Sequence, residues 1–374
     1  MVSVGKIAAP AMVEALMADA ASDRLLSDIY FVSGRALTAR INGAIECLSE
    51  HKLSAEELRI AATALGGVDA EARVLSGGAV TESFQVSSGP NRGRRYRVSM
   101  QSALAPSGRP GVAIVARLIP TKPPSLAEIG MSDEDAAAFW PDDGLVLLGG
   151  STGSGKTTTM AAVLASRLAS GPAFIARTIE DPIEYLQASN EAHGSIVMQM
   201  SPRGIAGGEG SARGPLSITL RENPDLIIVG ESRDEATVTT TIEAAMTGHL
   251  VWTTAHVGTV TEIPKRMALR LPPGSPVTIS DVVLSSRVWM VQKLEKSALS
   301  GERYALREWL YIDDEARGAL RGCSVDEMRD VLTDLLDQRG TSFKHQAALA
   351  LARGEMTESR FSFFQHGVAR NGAA

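Results

Sequence analysis

Gly150-Ser151-Thr152-Gly153-Ser154-Gly155-Lys156-Thr157 is the stretch that decides the fold. It matches G-x-x-x-x-G-K-[ST] at every fixed position, and each position has a chemical reason. Small residues let successive backbone N–H groups turn inward and cradle phosphates, helped by the positive end of the helix that starts there. Lys156 places a fixed positive charge on the β- and γ-phosphates of ATP. The Thr157 hydroxyl is the expected Mg²⁺ ligand, and Thr158 continues the cradle into the first helical turn. The loop therefore predicts ATP and Mg²⁺ as ligands.

The flanks supply the context that this reading needs. Leu145–Leu148 before the loop is a short, wholly apolar run, as in a strand buried on both faces, and Thr157–Leu168 after it reads as a helix. Phe174–Ile179, Leu226–Val229 and Leu250–Thr254 repeat the strand character, and Glu235–Met246 reads as a second helix. Buried strands alternating with helices predict an α/β fold with a parallel sheet covered on both sides. Ser201–Pro215 carries five glycines and two prolines and reads as a flexible loop. Beyond Ser280 the chain reads as helices: Ser324-Val325-Asp326-Glu327 has capping-box spacing, and Thr341–Arg353 stops at Gly354.

ATP hydrolysis needs a carboxylate for the metal and another for water. Leu226–Val229 leads through Gly230 to Glu231 at the carboxyl end of a core strand, where ligands collect in open α/β sheets, so Glu231 is the metal-side candidate, in contact directly or through water. Glu180-Asp181-Pro182-Ile183-Glu184 packs three acids into five positions after another core strand. Like charges this close are tolerated when a cation or a proton-transfer role compensates them. One of the three is expected to act as general base; Glu184 is preferred, although spacing alone does not choose among them. His249 and His256 bracket Leu250–Thr254, and His256, at the carboxyl end, is placed to sense the γ-phosphate. The other four histidines and both cysteines lie far off in sequence, so no zinc site is expected.

The N-terminal part differs in texture. Short β-rich runs at Asp28–Val32, Thr81–Val86, Tyr96–Met100 and Val112–Ile119 are separated by turns such as Ser33-Gly34 and Asn42-Gly43. A capping box at Ser54-Ala55-Glu56-Glu57 opens a helix that stops at Gly66-Gly67, giving an α+β module. Pro120, Pro123 and Pro124 form a stiff connector. The boundaries read as 1–118, a linker at 119–128, and a domain at 129–374 whose last part, from about 280, is helical. Two domains suit 374 residues. A net charge of −6 argues against nucleic acid as the primary partner. Two distant cysteines suit a reducing compartment. No apolar run reaches the ~18 residues of a membrane span, and the N-terminus, with Lys6, Pro10 and Glu14, does not read as a signal peptide. A cytoplasmic protein that meets membranes only through partners is expected.

The loop, Thr178–Tyr185, Asn223–Asp234 and Thr247–His256, in that order, resemble the Walker A, Asp, Walker B and His boxes of the secretion ATPase superfamily, which includes PilT-like retraction motors and the ATPases of type II and type IV secretion. Ile179-Glu180-Asp181-Pro182-Ile183-Glu184-Tyr185 and Val229-Gly230-Glu231-Ser232-Arg233-Asp234 are especially similar. The likeness extends to Ser27-Asp28-Ile29-Tyr30, Arg95-Tyr96-Arg97-Val98 and Arg117-Leu118-Ile119-Pro120. It implies a homo-hexamer of chains, each with a PAS-like N-domain linked to a RecA-like P-loop domain, with ATP between the two. It implies Glu184 as the catalytic glutamate, Glu231 as the Walker B glutamate, and Arg97 and Arg117 as N-domain arginines near the nucleotide. The segment 201–215 and the tail after Ser297 depart from the PilT form, and the branch resembled is that of the DotB and TraJ ATPases. The expected role is a motor on the cytoplasmic face of the inner membrane, working with secretion or conjugation machinery. The alternatives are a pilus retraction motor, an ATP-binding scaffold with negligible turnover, and a phosphotransferase.

Overall fold

The computed structural model describes residues 5–20, 26–89, 91–106, 108–187, 193–202, 212–232, 234–271 and 274–365. The chain forms two compact units, Met1–Lys122 with Pro182–Leu186, and Pro123–Asp181 with Gln187–Ala374.

The first unit is built on a six-stranded antiparallel sheet in the order β3-β2-β1-β6-β5-β4. Its strands are β1 (Leu26–Val32), β2 (Ala36–Ile41), β3 (Ala44–Lys52), β4 (Val80–Gln85), β5 (Arg95–Leu104) and β6 (Pro110–Ile119). Asn42 and Gly43 turn β2 into β3 with φ of 48° and 80°, the left-handed pair that a two-residue hairpin requires. Helices α1 (Pro10–Ala20), α2 (Ala55–Gly66) and α3 (Ala70–Leu75) complete the unit. Pro10 opens α1 rather than interrupting it, and Val13, Leu16 and Met17 bury in the core with Phe31, Leu58 and Ile114.

The capping box of α2 also ties down the chain around it. Glu57 Oε2 accepts from Ser54 N at 2.9 Å, and Oε1 accepts from Ile7 N at 2.9 Å and pairs with His51 Nε2 at 2.8 Å. Burial pushes the Glu57 carboxyl up, but the hydrogen bonds from Ser54, Ile7 and His51 outweigh it and hold the group down at about 2.

The second unit holds a seven-stranded sheet in the order β13-β12-β7-β11-β10-β8-β9. Its strands are β7 (Gly144–Gly149), β8 (Ile175–Ile179), β9 (Ile196–Met200), β10 (Leu226–Val229), β11 (Leu250–Ala255), β12 (Ser286–Lys296) and β13 (Arg303–Tyr311). All neighbours pair parallel except β12 and β13. Val146 and Leu148 of β7 pack with Met160 and Val163, while Leu145 and Leu147 face clusters on the other side. Burial of alternate residues on two faces is why the run is apolar throughout. Helices α4 (Asp133–Ala137), α5 (Lys156–Ser170), α6 (Arg213–Thr219), α7 (Glu235–Met246), α8 (Ile263–Ala268) and α9 (Ile279–Ser285) accompany the sheet. They are followed by α10 (Asp314–Leu320), α11 (Val325–Gln338), α12 (Phe343–Ala352) and α13 (Glu358–Gln365).

Two expectations need correction. The region after Ser280 is not all helical: β12 and β13 form a long antiparallel hairpin, and β12 continues the parallel sheet beside β7. Val288-Trp289-Met290-Val291 is another strand buried on both faces, and a short apolar run of this kind is ambiguous between helix and strand by periodicity. The sheet is therefore mixed, not purely parallel. The loop expected over 201–215 ends earlier, because α6 begins at Arg213; residues 203–211 lie outside the described ones. Among the described residues, no helix is long and apolar enough to cross a membrane.

Candidate active site

β7 delivers the chain to the glycine loop, and α5 carries it away. Gly150, Gly153 and Gly155 take φ of 148°, 79° and 86°, values that side chains disfavour. At Gly150 a Cβ would lie 2.4 Å from Ser154 Oγ and 2.6 Å from the Gln292 carbonyl oxygen, so close approach as well as φ demands glycine. Lys156 Nζ donates to the carbonyls of Gly150 at 2.8 Å and Ser151 at 2.9 Å, which folds its charge over the loop. Ser154 Oγ is buried with no hydrogen-bond partner among the described residues. Outside the loop opens a cleft of about 520 Å³, within the range of small-ligand sites. Ser151–Ser154 form one wall, and Leu294, Lys296 and Arg303 of the β12–β13 hairpin form another. The glycine cradle, the orphaned hydroxyl, the ammonium group and the helix start together form the donor set that a polyphosphate requires.

The carboxyl ends of β10 and β11 bring together two residues that the sequence holds 25 positions apart. His256 Nε2 lies 3.0 Å from Glu231 Oε1, with both side chains partly exposed. Thr254 Oγ1 donates to the Gly230 carbonyl at 2.7 Å, and Ser232 Oγ bonds Thr253 Oγ1 at 2.9 Å, which knits the two strand ends together. His249 sits at the opposite end of β11, near Thr247 Oγ1 at 3.4 Å. Among the described residues, no cluster of three or more His, Cys, Asp or Glu is placed to hold a metal. Thr157 and Glu231 each carry oxygen donors of the hard kind that Mg²⁺ prefers, an ion that takes most of its remaining positions from phosphate and water.

Glu180 and Glu184, the first and last of the three acids after β8, have different partners. Glu180 stays in the second unit, where Thr178 Oγ1 donates to its Oε1 at 2.6 Å and Gln199 Nε2 at 3.2 Å. Pro182–Leu186 clusters with the first unit, so Glu184 is described with that unit. There Arg97 NH2 pairs with Glu184 Oε1, and Arg95 donates to the carbonyls of Ile183 at 2.8 Å and Glu184 at 3.2 Å. Arg97 and Arg117 are register partners on β5 and β6, and Arg117 is the partner of Asp28 on β1. Arg117 Nε donates to the buried Asp28 at 2.7 Å. Arg233 lies outside the described residues.

Sequence reasoning missed Arg95, which grips the backbone of the Asp-box segment, and the hairpin residues beside the glycine loop. Gln292 and Arg307 stand on strands that had been read as helix. The strand-favouring aromatics Tyr304, Trp309 and Tyr311, just after the turn glycine Gly301, were the signal that could have found the hairpin.

Solved structures of this fold include the Legionella pneumophila ATPase DotB, 28 % identical, aligned over 98 % of this chain and 99 % of that one with a TM-score of 0.87. A second is the pilus retraction motor PilT with bound ADP, 25 % identical over 96 % and 97 % of the two chains with a TM-score of 0.79. The class so defined is that of the secretion ATPases. Within it, the chain belongs to the family described as Type II/IV secretion system protein, whose model matches residues 84–296. A twitching motility protein of Neisseria gonorrhoeae is 31 % identical over 294 residues, 78 % of this chain and 74 % of that protein. The aligned stretch is shorter for YggR of Escherichia coli, where it spans 63 % of the relative's length.

Proposed function

We propose that this protein is a Mg²⁺-dependent ATPase that works as a homo-hexameric motor. It acts at the cytoplasmic face of the inner membrane in a type IV, Dot/Icm-like secretion or conjugation system. The observation that carries the reading is the whole-chain similarity to DotB, with a TM-score of 0.87 against 0.79 for PilT. Under the same reading the first unit is PAS-like and the second RecA-like. The central placement of β1 beside β6, and of β7 beside β11, supports that assignment.

In this reading Gly150–Thr158 wrap the phosphates, and Lys156 neutralises charge on the β- and γ-groups. Thr157 and Glu231, the latter directly or through water, would hold Mg²⁺, which would draw electron density from the phosphate oxygens. Water adds to the γ-phosphorus as the bond to the β,γ-bridging oxygen breaks, and its proton passes to Glu184. His256 reads the γ-phosphate through its contact with Glu231. Glu184, Arg97 and Arg117 take their roles from their match to the family's motifs. A second reading, a retraction motor, is favoured by the 31 % identity to the twitching motility protein.

The test is steady-state phosphate release by the purified full chain. Lys156→Ala should abolish both nucleotide binding and turnover. Glu184→Gln should bind ATP and hydrolyse it about 10²–10⁴-fold more slowly. A wild-type chain that binds ATP without releasing phosphate would leave the scaffold reading standing instead. If Glu184→Gln is active and Glu180→Gln is inactive, the base is Glu180.

A further inference from the structure

A buried polar relay stands behind the glycine loop. Gln292 on β12 and Thr159 on α5 are almost wholly buried, and Arg307 on β13 nearly so. Gln292 Nε2 donates to the Ser154 carbonyl at 2.6 Å. Gln292 Oε1 accepts from Thr159 Oγ1 at 2.8 Å and from Arg307 Nε at 2.9 Å. The remaining guanidinium nitrogens donate to the carbonyls of Gly130 at 2.8 Å and Ile129 at 2.7 Å. All six residues belong to the second unit.

The direction of each bond matters. An arginine has donors only, so Arg307 fixes which end of the Gln292 amide is oxygen and forces the NH₂ end toward Ser154. The Ser154 carbonyl and the Gly155 N–H share one peptide plane and point in opposite directions. Drawing the carbonyl toward Gln292 therefore aims the Gly155 N–H away from it, as an anion cradle requires. The Cβ that a residue at 155 would carry lies 2.8 Å from Gln292 Nε2, so glycine and glutamine are fitted to each other. Burial lowers Arg307 to about 10, with Asp135 acting against the shift, so the group is still charged at neutral pH.

The geometry points to Gln292 as a positioning residue for phosphate binding, with Arg307 setting the orientation of its amide. This rests on the nucleotide-binding reading above. Gln292→Glu is the diagnostic variant: it keeps the acceptor for Arg307 and Thr159 but sets an acceptor against the Ser154 carbonyl. The binding of ADP and AMP to the full chain would be measured by displacement of a fluorescent ADP, alongside thermal unfolding. Gln292→Glu should unfold within a few degrees of wild type. It should lose roughly tenfold in ADP affinity, the scale of one hydrogen bond, while AMP binding changes little. A merely structural role would lower the melting temperature and leave the preference for ADP over AMP intact. A folded Gln292→Glu with wild-type preference overturns the inference. If that variant does not fold, Arg307→Lys serves, since a single ammonium nitrogen cannot reach three acceptors spaced to meet the separate nitrogens of a guanidinium fork. A several-fold loss of the preference supports the relay, and full retention overturns it. A wild-type chain with no preference for ADP over AMP would instead overturn the nucleotide-binding reading itself.

Discussion

Removing Arg97 tests whether the ion pair with Glu184 serves stability or turnover. The two side chains are each about one-third exposed, at 31 % and 32 %. A pair so placed contributes about 0–1 kcal/mol to folding after solvent screening. Arg97→Ala should therefore lower the melting temperature by no more than a few degrees. If Arg97 acts in catalysis, the expected loss of turnover is far larger, on the order of 10³-fold or more, or above about 4 kcal/mol of transition-state stabilisation. The structure adds a second expectation, since Arg97 touches the proposed base itself. In a double-mutant cycle, Arg97→Ala in the Glu184→Gln background should cost much less than it does alone, because the partner it orients has already lost its charge. Single-turnover phosphate release for the four chains, with ATP binding measured separately, gives the coupling. Effects that simply multiply would mean that Arg97 and Glu184 act independently. Near-normal turnover in Arg97→Ala would refute the catalytic reasoning altogether.

Three further outcomes can be checked. Gly150→Ala, which meets Ser154 Oγ and the Gln292 carbonyl within 2.6 Å, should lose ADP binding more severely than Gly153→Ala, which meets nothing within 4 Å and suffers backbone strain alone; equal affinities would refute the steric account. Glu57, held at about 2 against an ordinary 4.5, contributes stability that is fully present above pH 4.5 and is lost as pH falls toward 2. Urea titrations should show wild type losing its advantage over Glu57→Gln, about 3 kcal/mol, across that window, and a pH-independent gap would refute the assignment. Specific activity should rise with protein concentration as subunits associate. Mixing Arg117→Ala with Glu184→Gln chains should restore activity if subunits complement one another, while full activity in a strictly monomeric preparation would rule out the ring requirement.

The sequence by itself determined what depends on local chemistry. The glycines of 150–155 are legible because only glycine takes those backbone angles, and Asn42-Gly43 and Ser54–Glu57 are legible because turns and caps are short-range devices. The buried strands Leu145–Leu148, Leu226–Val229 and Leu250–Thr254 were visible because burial on two faces leaves no charged position. Tertiary structure alone decided which distant residues meet. Glu231 meets His256 because parallel pairing of β10 with β11 aligns their carboxyl ends. Glu184 is held by Arg97 and its backbone by Arg95, and nothing in three clustered acids encodes those partners. Gln292 stands behind the glycine loop because β12 adds to β7 in parallel across some 140 residues of chain. Pairings of that sequence separation are fixed by the whole sheet's burial and register, which no local window contains.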